Sequence, residues 1–414
     1  AVSTITTTTR AITDSLSLAD SISVSQVYSE SGVTWGVDRI FTLNSDQIIG
    51  GPHINFPVLF TLDNDSSLKS SDVQDNGNPG GDIRFTSDGL IPLSYEIEYF
   101  NKADGDLIAW VKYPSLSSDA TNLLHLHYEA DQTISHDGVI LRDTWDDIYK
   151  SVLHLNQTST STKGAYADAS YNGTVTANDA GVKDTDNNFG TGGGLTASKA
   201  PTATAVTTGR IGVAADFDGT DDFICIDTKD GDCVGDKNPL YDNEISKRTI
   251  SFWFSPDTLP EGAAGGDASM LYEEGGGVNG LNMYINGTKF YGGAWAESNG
   301  WDGAWASSSV TLEVGSWYFA AMVFDNPGGE GEKTLKIYLD GEEVGKITVE
   351  TDIAPSHSGD DGLGAVIKAT KVQTGDINNP SGTESNFFKG KMDEFRVTDT
   401  ARDSDWLKTR YHSE

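Results

Sequence analysis

Between residues 12 and 25 apolar side chains recur at every second position. Ile12, Leu16, Leu18, Ile22 and Val24 alternate with Ser, Thr and Ala, and only Asp14 and Asp20 interrupt the apolar face. A period of two is that of a strand with one apolar face, so an extended strand is predicted here. No Gly, Pro or Asn follows until Gly32, and a hairpin partner next to the strand is therefore not expected. Such a strand can complete the open sheet edge of a neighbouring copy of the chain. The competing reading is a Ser/Thr-rich stalk, which has no need of a sustained aliphatic face.

After "YSESG", read as a hinge, short apolar runs separated by turns begin at Val33. "FPVLFTL", "DIRFTS", "SYEIEYF", "LIAWVKYPSL" and "NLLHLHYEA" read as strands, and "DNGNPGGD" as a loop. Brief strands with regular breakers predict a sandwich or barrel. A second series starts at "SVLHL" (151–155), passes through a loose Thr/Ser/Gly/Asp-rich stretch to about residue 208, and resumes with "VAADFDGTDDFICI" and "RTISFWFSPDTLP". "DSDWLKTRYH" reads as a short helix with Asp403 near its N-cap. The expected architecture is all-β: two jelly-roll-like β-sandwiches, an N-terminal extended strand and a short C-terminal helix. The expected spans are 1–32 for the extended segment, 33–133 for the first sandwich, 134–150 for a linker and 151–414 for the second sandwich.

Two resemblances sharpen this picture. Phe56-Pro57-Val58, Asp82-Ile83-Arg84-Phe85, Tyr95-Glu96-Ile97-Glu98 and Trp110 to Leu116 resemble a prokaryotic surface-protein domain family of unknown function. His125 and His127 stand where that family usually has tyrosines. Phe217-Asp218-Gly219, Ile250 to Trp253, Trp317-Tyr318, Tyr338 to Gly341 and Gly390 to Val397 resemble the laminin-G-like members of the concanavalin A-like lectin/glucanase sandwiches. In such relatives the aspartates of "FDG" and "DEFR", here Asp218 and Asp393, often flank a structural calcium. That resemblance implies a Ca2+ site at Asp218, Asp393 and the nearby Asp221, against the alternative of a solvated acidic loop.

Composition narrows the partners. With 28 basic and 62 acidic residues the formal net charge is -34, which repels nucleic acid and anionic lipid. The sequence has no run of eighteen apolar residues, so no membrane-inserted helix is expected. Ala1 fits a chain left after signal-peptide removal, although a trimmed chain would look the same. Cys225 and Cys233 bracket "CIDTKDGDC", a spacing suited to a local disulfide in an oxidising compartment, with a pair of free thiols as the alternative. Asn64, Asn156, Asn172 and Asn286 head Asn-x-Ser/Thr sequons that permit N-glycosylation.

Catalytic chemistry finds little support. The hydrolytic branch of this fold usually shows Glu-x-Asp-x-x-Glu along one strand, and that string is missing. Glu96 and Glu98 are the nearest pair on one strand face. His125 and His127 share a strand face and could ligate a metal, with His136 and Asp137 as the nearest further candidates; sheet-surface histidines are the preferred reading. The sequence also lacks a nucleophile elbow and a phosphate loop. Trp295, Trp301 and Trp305, in a Gly-rich stretch, could form a glycan platform, cover an interface or fill the sandwich rim. The main functional expectation is a non-enzymatic extracellular surface protein that polymerises with copies of itself by strand donation. The alternative is a carbohydrate-binding surface adhesin, and a glycoside hydrolase is a distant third.

Overall fold

The computed structural model describes residues 18–22, 28–69, 73–74, 80–132, 143–156, 169, 202–203, 209–227, 246–262, 268–295, 302–305, 310–326, 331–348, 361–367, 369–378 and 384–414. Among the described residues the chain is all-β apart from short 3-10 turns and one helix, and it divides into two compact units. Residues 1–136 with 408–414 form the first unit, and 137–407 form the second. These limits differ from the expected spans in three ways. The N-terminal segment belongs to the first unit, part of the supposed linker belongs to the second, and the last seven residues return to the first.

The first unit packs two antiparallel sheets. One contains β1 (Leu18–Ile22), β2 (Ser29–Glu30), β3 (Val33–Leu43), β5 (Arg84–Ser87), β6 (Ile91–Pro92) and β9 (Asn122–Ala130), with β3 and β9 in its middle. The other runs β4 (His53–Leu62), β8 (Asp106–Leu116), β7 (Tyr95–Asn101). Alternation sends Phe41, Phe85, Leu124 and Leu126 of the first sheet toward Phe56, Val58 and Phe60 of the second. All are buried, and the edge-to-face pairs Phe41–Phe60 (4.9 Å) and Phe60–Phe85 (5.2 Å) join the layers. The "DIRF" stretch has a structural task. Asp82 is buried and accepts hydrogen bonds from the backbone N–H groups of Gln74, Glu129 and Ala130, while the Arg84 guanidinium donates to the Tyr95 hydroxyl.

The strand-donation expectation finds no support here. β1 pairs antiparallel with β3 of its own chain, from Leu18 opposite Leu43 to Ile22 opposite Arg39. β2 pairs with the start of the same strand, Glu30 opposite Val33, around a two-residue turn in which Ser31 and Gly32 both have positive φ. "YSESG" is therefore a hairpin turn rather than a hinge, and β1 lies further down the arm that leads into it. The turn was hard to read because Ser occupies a left-handed position usually taken by Asn, Asp or Gly. Of the proposed donor residues, Leu18 and Ile22 lie in β1, whereas Ile12, Leu16 and Val24 lie outside the described residues.

The second unit is a larger sandwich. Its eight-stranded sheet runs β11 (Thr202–Ala203), β12 (Ala215–Asp218), β25 (Lys389–Thr398), β14 (Lys247–Pro256), β19 (Tyr318–Asp325), β20 (Thr334–Leu339), β21 (Glu342–Thr348), and β10 (Tyr149–Leu153) also pairs with β25. Facing it is a six-stranded sheet of β13 (Ile224–Asp227), β22 (Asp361–Leu363), β15 (Ser269–Gly275), β16 (Gly280–Asn286), β17 (Lys289–Trp295) and β18 (Asp302–Trp305). Phe252, Phe254, Met322, Ile337 and Phe395 meet Leu271, Leu281, Met283 and Phe290 in one apolar core. "YLDGEEV" folds as its dipeptide predicts, with Asp340 and Gly341 at positive φ between β20 and β21. A small hairpin, β23 (Ala369–Val372) and β24 (Gly375–Asn378), packs Val372 and Ile377 with Met270 and Tyr284, forming a separate apolar cluster.

One charge pair crosses the sandwich interior. Arg248 on β14 is ion-paired to Glu274 on β15, and the Tyr272 hydroxyl donates 2.7 Å to the other Glu274 oxygen. All three side chains are at most 2% exposed, so each charge depends on the other for neutralisation. The expected C-terminal helix is α1 (Ser404–Ser413), and Asp403 caps it by accepting 2.7 Å from the Trp406 N–H. Cys225 lies on β13, but its side chain and all of Cys233 fall outside the described residues, as does any pairing between them.

Two measurements check this description. Arg248→Met alone should cost the second unit about 3–5 kcal/mol in urea unfolding, because it strands a buried carboxylate, and adding Glu274→Leu should restore much of that loss. In a background lacking Cys225 and Cys233, Ser21→Cys with Ile40→Cys should form an intrachain crosslink, since these positions are register partners. Covalent dimers on non-reducing electrophoresis would instead revive pairing between molecules.

Candidate functional site

The acidic loop after β12 brings together carboxylates of Asp218, Asp221 and Asp222, with ligand atoms within 4.8 Å of one another. The turn is held by its own backbone. Asp218 Oδ1 accepts from Thr220 N (2.7 Å) and Asp221 N (3.2 Å), and Asp222 Oδ2 accepts from Asp218 N (2.8 Å). Asp222 is buried, and burial followed by the charges of Asp218 and Asp221 pushes its carboxyl up to about 6. Converging carboxyl oxygens with unrelieved repulsion suit a hard divalent cation, and three carboxylates supply part of a calcium shell.

Asp393 does not join this cluster, which corrects the expected ligand set. β12 pairs with β25 so that Asp218 faces Lys389, four residues before Asp393. At ~3.3 Å per residue the two aspartates stand about 13 Å apart along the sheet. The Asp393 carboxylate is fully buried and accepts 2.8 Å from the Ile211 N–H. The other charges of "DEFR" are also internal. Glu394 binds the guanidinium of Arg396 and Nδ1 of His154, the latter at 2.9 Å. The motif thus marks a buried polar seam, and the carboxylate that joins Asp218 and Asp221 is that of Asp222.

A second convergence lies in the first unit. His125 and His127 on β9 are 3% and 0% exposed, so they are not the surface residues expected of them. They occupy the face of β9 opposite Leu124 and Leu126, where Asp38 of β3 is the register partner of His127. Asp38 Oδ1 stands 3.0 Å from His125 Nδ1 and 3.6 Å from His127 Nδ1. His127 Nε2 is 2.9 Å from Thr86 Oγ1, and the Tyr28 ring stacks on this imidazole at 4.4 Å. Burial, followed by the charge of His125, pushes His127 down to about 3, while burial raises Asp38. The sequence signal was the x-His-x-His spacing; Asp38, 87 positions away from His125, carried no local mark.

The remaining candidates are dispersed. Trp295 is not an exposed platform: it is buried and its indole N–H donates 2.7 Å to Gly276 O. Trp301 and the Trp305 side chain lie outside the described residues, although the backbone of β18 places position 305 opposite Tyr291. Tyr291 is partly exposed and stacks on Tyr284 at 4.9 Å with the rings 8° apart. A β-bulge between Ile97 and Tyr99 takes Glu98 out of the ladder, so Glu96 and Glu98 do not form the expected pair on one regular strand face. Glu98 accepts 2.8 Å from the Trp110 indole, and Glu96 is buried. Among the sequons, Asn64 is exposed, Asn156 and Asn286 are half-buried, and Asn172 lies outside the described residues.

These features sit in a recognisable class of fold. Residues 227–408 match the laminin G family model described as the Concanavalin A-like lectin/glucanases superfamily, so the second unit carries that fold. Comparison with curated proteins gives no match. Among solved structures, domain 4 of an extracellular GH43 arabinanase from Geobacillus stearothermophilus, in complex with arabinotriose, is 17% identical with a TM-score of 0.35, covering 53% of this chain and 88% of that one. The binding domain of Paraclostridial Mosquitocidal Protein 1 is 10% identical with a TM-score of 0.41, and the botulinum neurotoxin serotype D binding domain 13% with 0.39. Each is matched over 64% of this chain, which spans only 52% and 50% of their respective lengths. Among the described residues no helix is long and apolar enough to cross a membrane.

The His127 environment makes a direct prediction. Its imidazole should stay neutral from pH 8 to pH 5, read as flat ring-proton shifts in NMR. An unfolded imidazole takes up a proton near pH 6.5, whereas the folded one waits until about 3. This group's contribution to stability should therefore fall as pH drops through that window.

Proposed function

We propose that the chain is a non-enzymatic carbohydrate-binding module of an extracellular surface protein, with calcium supporting its lectin-like sandwich at Asp218, Asp221 and Asp222. The observation that carries this reading is the concanavalin A-like lectin/glucanase fold of residues 227–408. The internal use of Asp393, Glu394 and Glu98 as hydrogen-bond and ion-pair partners supports binding over hydrolysis. A sugar would meet the edge of the six-stranded sheet, where partly exposed Tyr291 offers an aromatic ring and Trp305 is its register partner. Aromatic rings bury the apolar face of a sugar while its hydroxyls keep polar partners at the rim. The strong negative charge favours neutral or cationic glycans over polyanionic ones.

Two experiments test the reading. On a glycan array the protein should bind neutral glycans in calcium, and Tyr291→Ala or Trp305→Ala should weaken binding roughly tenfold, the scale of one lost aromatic contact. Failure to bind any glycan, or steady release of reducing sugar from a polysaccharide panel, would count against it. Chelation should lower the melting temperature of the wild type by mass action and leave Asp221→Asn/Asp222→Asn unmoved. An identical melting curve with and without chelator would remove calcium from the proposal.

A further inference from the structure

We propose that Asp38, His125 and His127 form a binding site for a first-row divalent transition metal, zinc in the first instance. The donor set is two imidazoles and one carboxylate, which suits zinc and its neighbours and is a poor match for calcium or magnesium. Both Nδ1 atoms face one carboxylate oxygen, at 3.0 and 3.6 Å. Ligand atoms about 2.0–2.1 Å from a tetrahedral zinc stand about 3.3 Å apart, so the two observed edges bracket that shell.

The stronger sign is an unmet demand. His127 Nδ1 is fully buried, points at the Asp38 carboxylate and has no hydrogen-bond partner among the described residues. A buried ring nitrogen left this way is costly, and a cation placed between it and Asp38 removes the cost. Thr86 completes the argument. Its hydroxyl lies 2.9 Å from His127 Nε2, and by accepting that N–H it leaves the Nδ1 lone pair for the metal. This is the outer-shell arrangement that orients ligating histidines. His125 Nε2 also lacks a partner among the described residues, and metal binding at Nδ1 leaves that atom unchanged.

The backbone holds the set in place. Asp38 pairs with His127 and Ile40 with His125 in the β3–β9 ladder, and Thr86 pairs with His125 across β5–β9. Ligands in hydrogen-bonded central strands need no rearrangement to converge. Three protein ligands leave one tetrahedral position for water. The site belongs to the first unit and is independent of calcium and sugar binding in the second.

The test uses tag-free full-length protein treated with chelator and then dialysed. Zinc is titrated in against a chromophoric competitor, and metal content is read by mass spectrometry. One zinc per chain is expected, together with a rise in melting temperature. His127→Gln should weaken binding more than a hundredfold, and Thr86→Val about tenfold. Asp221→Asn/Asp222→Asn should leave zinc binding as it is. If His127→Gln fails to fold, cobalt in the wild type answers the same question, because a tetrahedral site gives intense visible bands. Absence of zinc binding by folded wild-type protein, or binding that survives His125→Gln/His127→Gln, overturns the proposal. So does a cobalt spectrum of octahedral type.

Discussion

The second unit depends on where its last strand lies. β25 pairs with β12 and β14 on its two sides, and β10 pairs with its far end, so strands from the beginning and middle of the unit meet on residues 389–398. The eight-stranded sheet cannot close until nearly the whole unit is present. Long-range pairing of this kind is costly in chain entropy and slow to form. It also explains the density of buried polar groups on β25. A central strand has neighbours on both sides, and the side chains facing away from the core must find partners within the fold. Asp393 meets a backbone N–H, and Glu394 meets His154 and Arg396, whose guanidinium lies over the Trp145 ring.

Internal charge pairing also shapes the surface. Arg39, Arg84, Arg248, Arg396 and Arg410 are all 5% exposed or less. Part of the small basic complement is therefore spent inside, but buried carboxylates such as Asp82, Glu274, Asp361, Asp393 and Glu394 match it, and the solvent-facing shell keeps the strongly acidic balance of the sequence. Such a surface attracts divalent cations and repels polyanions. The two candidate metal sites differ in kind within that field. The Asp218–Asp222 loop offers hard oxygen ligands at a partly exposed turn, whereas Asp38, His125 and His127 offer softer nitrogen ligands in closed surroundings. Cation identity follows from that chemistry more than from net charge.

Sequence alone determined the all-β class, the two series of strands, the capped C-terminal helix and the lectin-like second unit. The first three rest on local chemistry, and the last on the family resemblance carried by motifs such as Phe217-Asp218-Gly219 and Gly390 to Val397. Period-two alternation marks a strand wherever one face is buried, Asp340-Gly341 imposes a hairpin, and Asp403 accepts the Trp406 N–H in the first turn of α1. Tertiary structure alone decided the partners. The alternation at Leu18–Ile22 says that a strand exists but not which edge it joins, and in-chain pairing with β3 won because the Ser31-Gly32 turn folds that arm back. Trp295 looked available in a Gly-rich stretch and is buried; Asp393 looked like a ligand and is held by Ile211. Asp38 meets His125 and His127 only because β3 and β9 are neighbours in register. Periodicity and turns act over a few residues and can be read along the chain. Register and convergence are properties of strands distant in sequence, and only the folded sheet settles them.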